Sequence, residues 1–157
     1  LTTLTNFVKR HEGFRLVPYQ CTAGKWTWGY GRNIEDMPLN GEEALLILRA
    51  ANIDSHSERE QALKHAAEKC LENNIEYATS ACQMIFDDFN RFTVNRQIAL
   101  VSVMFNIGYR KFLEFKRMIA AIRRNAWDRA AIELKDSKRH KQIPMRSDEE
   151  ADMLRVG

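Results

Sequence analysis

Three side chains, set apart at fixed intervals near the N-terminus, could do chemistry together. Glu12 lies in a His-Glu-Gly triplet, Cys21 follows nine residues later, and Thr27 six after that. A carboxyl at the C-terminal end of a helix faces the negative end of the helix dipole, which disfavours its charged form. A general acid must hold a proton at neutral pH, so such a position suits one. If the chain turns near residues 22–24, Cys21 and Thr27 lie on facing strands within reach of each other. A helix-end glutamate facing them across a cleft leaves room for a sugar and a water. Taken singly, each has a plainer reading: a solvated glutamate, a small buried hydrophobe, an ordinary strand threonine. Trp26 and Trp28 alternate around Thr27, and core packing rather than sugar stacking is their expected role.

The elements that must position these residues are mostly helices. Leu4, Phe7 and Val8 line one face of a short N-terminal helix that Gly13 ends. From 14 to 34 the character changes: Pro18, Gly24, Gly29 and Gly31 exclude a helix interior, and the aromatic residues favour strands. The expectation is a small antiparallel hairpin, with room for a third short strand. Asn40 with Glu43 reads as an N-cap, and Ser57 with Glu60 as a capping box for a polar helix reaching about residue 71. Residues 98–107 are apolar nearly all round, the mark of a helix buried at the centre of its unit. Helices follow at about 115–124 and 126–135, and Ser147 with Glu150 reads as another capping box after Pro144. The fold class is therefore α+β and mostly helical, with a small hairpin lobe beside a larger helical lobe. A single domain is expected over 1–157, divided into a hairpin lobe to about 57, a connecting helix at about 58–72 and a helical lobe from about 73.

Composition narrows the function classes. The chain has 157 residues, 24 Lys and Arg, 21 Asp and Glu, and a net charge of +3. That length suits one domain at roughly 100–200 residues each. The total charge is too small to mark a nucleic-acid binder. Its distribution is uneven: residues 1–48 are neutral, 49–90 carry net −4, and 110–146 carry net +8. Three cysteines, with no C-x-x-C pair, argue against a disulfide framework or a zinc site, so no metal or cofactor is expected. The chain has no visible signal peptide and no run near the roughly 18 apolar residues of a membrane span. It begins at Leu1 rather than methionine, which leaves room for a removed upstream anchor.

The ordered motifs resemble a known family. Glu12, eight residues, Cys21, five residues, Thr27, then Gly-Tyr-Gly, is similar to the catalytic segment of phage-type lysozymes, the endolysins of glycoside hydrolase family 24. Their pattern is Glu, eight residues, Asp or Cys, five residues, Thr. The likeness resumes at 96–97, 104–108, 127–131 and 142–146, in order and over about two-thirds of the chain. The resemblance implies that Glu12 protonates the leaving glycosidic oxygen. It implies that Cys21 and Thr27 hold or activate the attacking water, in a reaction that inverts configuration. It further implies that Gly31, Arg32, Phe105 and Asn106 line the substrate cleft and that Arg146 pairs with the catalytic glutamate. Arg32 stands where a histidine is common, so its carboxylate partner must differ. Many relatives have Asp at Cys21. A thiol is a poorer base, with an ordinary pKa of about 8.5, so Cys21 could be an ionised base, a water positioner or a nucleophile.

On this resemblance the expected activity is that of a muramidase, EC 3.2.1.17, acting as a monomer on bacterial peptidoglycan and serving phage host-cell lysis. The chain is expected to be made in the host cytoplasm and to act in the periplasm, with the +8 segment facing the anionic wall. Two other readings stand beside it: a catalytically impaired wall-binding protein of the same fold, with Cys21 as the suspect change, and a basic nucleic-acid-binding helical domain.

Overall fold

The computed structural model describes residues 2–157. Helix α1 (Thr2–Glu12) forms where Leu4, Phe7 and Val8 recur on one side, and it buries Phe7 and Val8. Gly13 ends it as expected, its N–H on the Lys9 carbonyl at 3.0 Å. Strands β1 (Arg15–Gln20), β2 (Trp26–Gly29) and β3 (Arg32–Asn33) then make an antiparallel sheet in the order β1-β2-β3. Thr27 is central in it, paired with Tyr19 on one side and Asn33 on the other. The β1–β2 turn is tight: the Cys21 N–H donates to the Lys25 carbonyl at 2.9 Å and the Gly24 N–H to the Cys21 carbonyl at 2.8 Å. Trp28 is buried and donates its indole N–H to the Leu16 carbonyl at 2.8 Å, the core role expected of it. Trp26 opens β2 beside the turn and stays 48% exposed, outside that core.

Helix α2 (Gly41–Ala51) starts at the predicted N-cap, which the structure shows to be a full capping box. The Asn40 side chain accepts from the Glu43 N–H and the Glu43 carboxylate from the Asn40 N–H, both at 2.9 Å. Helix α3 (His56–Ile85) is much longer than the polar helix expected to end near residue 71. Ala67, Leu71, Ile75, Ala78 and Cys82 are all buried at three- and four-residue steps, and no Gly or Pro interrupts them, so the helix continues. Its start also differs, because Ser55 rather than Ser57 caps it, accepting from the Glu58 N–H at 3.5 Å. The described residues divide into two compact units between Asn74 and Ile75, inside α3.

The second unit holds a short 3-10 turn (Phe89–Arg91), then α4 (Val94–Phe112), α5 (Lys116–Arg123), α6 (Trp127–Lys135), α7 (Lys138–Gln142) and α8 (Pro144–Val156). In α4 every residue from Ile98 to Met104 is buried, which makes it the central helix that the apolar run predicts. Helix α8 packs against α4, α6 and α7. Pro144 occupies its first turn, so Ser147 and Glu150 lie inside the helix and are buried, and the capping box expected there does not form. The fold is α+β and mostly helical. No helix among the described residues is long and apolar enough to cross a membrane.

Candidate active site

In the first unit, Glu12 is the last residue of α1, and its carboxylate lies against Gly31. A methyl group added at Gly31 would fall 2.6 Å from Glu12 Oε2, inside van der Waals contact. Gly31 also has φ +77°, a conformation that side chains oppose. Two residues before it, Gly29 (φ +63°) lets the sheet approach α3, where an added Cβ would fall 2.9 Å from the Ala67 Cβ. The Gly-Tyr-Gly triplet thus serves two close approaches, one to a helix and one to the glutamate. Gly31→Ala is expected to displace the Glu12 carboxylate and lower kcat about tenfold or more, alongside a strain cost of about 1–2 kcal/mol. Steady-state rates and thermal melts would check both, and an unchanged kcat would refute the contact's importance.

Cys21 and Thr27 come together, but not on facing strands as expected: Thr27 is in β2, whereas Cys21 lies one residue past β1, where the turn has already begun. The Cys21 thiol is held below the ordinary thiol range, chiefly by the backbone N–H of Lys25, then by that of Ala23. Partial burial opposes them, and the Thr27 hydroxyl adds a hydrogen bond to the sulfur. Thr27 itself is buried, and its hydroxyl reaches the Lys25 carbonyl at 3.1 Å. That hydroxyl has one proton and can donate it to the carbonyl or, by rotating, to the sulfur when Cys21 is a thiolate. The turn therefore favours a negative charge on sulfur. The other two thiols are the reverse case: burial pushes Cys70 up to about 11 and Cys82 up to about 12. In the folded protein at about pH 8, iodoacetamide is expected to label Cys21 and leave Cys70 and Cys82 unlabelled. Peptide mass spectrometry reads this directly, and equal labelling of all three would contradict it.

Tyr19 is a neighbour that the spacing did not reveal. Burial pushes its hydroxyl up, the Arg15 guanidinium opposes this, and the charges of Glu12 and Cys21 add to the rise. The Arg15 guanidinium carbon lies 4.3 Å from the centre of the Tyr19 ring. Tyr19 thus lies within electrostatic range of both candidate groups. Its position as Thr27's cross-strand partner was the available signal.

Arg32, expected along the cleft, is only 6% exposed and is committed elsewhere. Its Nη2 donates to Glu43 Oε2 at 3.0 Å and to the Pro38 carbonyl at 3.0 Å, and its Nε to the Met37 carbonyl at 2.8 Å. Glu43 is fully buried, and its other oxygen accepts from Asn73 Nδ2 at 2.8 Å. The carboxylate partner of Arg32 is thus the capping glutamate of α2.

In the second unit, Phe105 is half-buried and Asn106 exposed near the Gly108 break in α4. Arg146 is buried, and its Nε and Nη2 donate to the Ser102 hydroxyl at 3.1 and 3.0 Å. Its Nε also approaches Glu150 Oε1 at 3.2 Å. Arg139, also buried, joins this network and reaches Asn106 Oδ1 at 2.9 Å. Neither Arg139 nor Glu150 was expected to take part in a site. Nearby, a groove of about 690 Å³ is lined by Ile107, Phe115 and Met118 among the basic side chains Lys111, Arg117 and Lys138.

Probable T4-type lysozyme 2 of Dictyostelium discoideum is 27% identical over 100% of this chain and 96% of its own length. Probable T4-type lysozyme 1 of the same organism is 25% identical, again over 100% of this chain and 96% of its own. An endolysin of Acyrthosiphon pisum secondary endosymbiont phage 1 is 50% identical over 46 residues, 27% of this chain and 31% of that protein. Matched over residues 9–145, the chain belongs to the phage lysozyme family.

Proposed function

We propose that this protein is a peptidoglycan hydrolase, a muramidase that cleaves the β-1,4 bond between N-acetylmuramic acid and N-acetylglucosamine with inversion. In this reading Glu12, held against Gly31, gives its proton to the leaving oxygen. Cys21 and Thr27 hold the water that attacks the opposite face of the sugar, the sulfur accepting its proton when ionised. The turn's N–H groups support that role, because they stabilise negative charge at the place where a carboxylate is common in the family. The family resemblance gives Gly31, Phe105 and Asn106 the role of lining the glycan's path and Arg146 that of supporting the catalytic glutamate. Arg32 then acts by holding the 37–43 loop to α2 through Glu43. The basic 110–146 segment draws the enzyme to the anionic wall, and the setting is phage host-cell lysis with action in the periplasm.

The observation that carries this reading is the family match itself, whose range spans Glu12, Cys21 and Thr27, residues whose spacing resembles the family's pattern. The test is digestion of purified peptidoglycan followed by borohydride reduction of the new chain ends. Reduced muramic acid ends are expected. Reduced glucosamine ends would overturn the bond assignment. Binding without cleavage would favour the impaired wall-binder, and salt-dependent DNA retention without cleavage the nucleic-acid module.

A further inference from the structure

We infer that Glu150 is a positioning residue which, through Arg139, turns Asn106 so that its amide N–H2 group faces the glycan as a donor. This rests on the hydrolase reading, in which Asn106 lines the substrate path. An exposed asparagine can ordinarily present either its carbonyl or its amide nitrogen, because the two ends differ little in shape. Here the choice is made from beneath. Asn106 Oδ1 accepts from Arg139 Nε at 2.9 Å, so the carbonyl end is occupied and the nitrogen end is left outward. Arg139 is itself fixed, being 6% exposed and gripped end-on by Glu150. Its Nη1 donates to Oε2 at 2.6 Å and its Nη2 to Oε1 at 2.9 Å. With both terminal nitrogens held by one carboxylate, the planar guanidinium turns its remaining Nε–H edge to Asn106.

Glu150 is fully buried and has no freedom to relax. Its Oε1 also accepts from the Ser102 hydroxyl at 2.6 Å, and the same hydroxyl accepts from Arg146. One carboxylate therefore sets the orientation of a surface amide and of the buried Arg146. The ligand chemistry that matches an outward N–H2 group is an oxygen acceptor on the sugar, such as the acetamido carbonyl. Asn106 contacts that acceptor; Glu150 and Arg139 act on it only through Asn106.

Asn106→Asp separates this role from a structural one. Aspartate keeps the size and pairs with Arg139 at least as well, but its outward oxygen cannot donate. The variant is expected to keep or raise its Tm while kcat/KM on soluble peptidoglycan strands falls about tenfold, mainly through KM. In a Glu150→Gln background the same change is expected to cost no more than about twofold, because the amide is already unconstrained. Arg139→Lys, which keeps the charge and loses the fork, replaces Glu150→Gln if that variant does not fold. An Asn106→Asp enzyme as active as the wild type, or one whose loss is the same in either background, overturns the inference and leaves the hydrolase reading intact. A wild type that does not cleave peptidoglycan at all overturns both.

Discussion

Glu12→Gln is expected to abolish clearing of peptidoglycan in a zymogram and to lower the turnover of soluble strands by about 10²–10⁴-fold. The substitution removes the transferable proton and the carboxylate's negative charge and keeps the side chain's shape. Glutamine has nearly the shape of glutamate and keeps an oxygen and a nitrogen at the positions of the two carboxylate oxygens. The backbone that carries the group is set by α1 and Gly13, and the close fit at Gly31 depends on side-chain bulk that glutamine preserves. A glycosidic oxygen leaves poorly unless protonated, so the loss falls on kcat rather than on KM. Circular dichroism and retention on insoluble peptidoglycan are expected to match the wild type. Clearing by the variant at the wild-type rate would show that another group is the acid.

The largest stability effect is expected at Glu43, away from the reaction. Its carboxylate has no exposure and takes hydrogen bonds from Arg32 Nη2, the Asn40 N–H and Asn73 Nδ2. Glu43→Ala leaves a buried guanidinium without its counter-charge and removes one arm of the α2 capping box. Breaking one side of a buried pair costs about 3–5 kcal/mol. For a chain of this length that corresponds to a fall of about 10 °C in Tm. The partner variant Arg32→Met with Glu43→Leu is expected to recover much of the loss, since it leaves no unpaired charge. Cys70 offers a local reporter. Burial is the main cause of its high range, Glu43's charge adds to it and Arg32 opposes. A Tm within about 2 °C of the wild type would show that the pair contributes little, on the same scale of a few degrees per kcal/mol.

The helix starts show where sequence patterns carry information and where they stop. Asn40 with Glu43, Ser57 with Glu60 and Ser147 with Glu150 share one capping signature, yet only the first forms the box. Ser57 lies inside α3 because Ser55 already supplies the cap. Ser147 lies inside α8 because Pro144 starts the helix earlier and the Ser147 N–H already bonds the Ile143 carbonyl at 3.0 Å. A signature of two side chains three residues apart records that they can cap, whereas the chain's direction before them decides whether they do. Released from capping, Glu150 became the counter-charge for two arginines. The extent of α3 was missed for a related reason. Its second half pairs small buried residues with an exposed polar side, a weak pattern until the packing is known.

By itself, the sequence determined the hairpin, its turn near residues 22–24, the closeness of Cys21 to Thr27 and the end of α1 at Glu12. These are local: a tight turn and a strand alternation set positions only six residues apart, with no help from the rest of the chain. It also determined the buried run in α4, because an all-apolar helix has only one stable place. Tertiary structure alone decided which of the 21 acidic residues would meet Arg32, Arg139 and Arg146. A buried guanidinium needs a carboxylate within hydrogen-bond reach, but packing selects which one, across 11 residues both for Arg32 with Glu43 and for Arg139 with Glu150. The spacing of the candidate residues could be read along the chain; the charges that hold their surroundings in place could be read only in three dimensions.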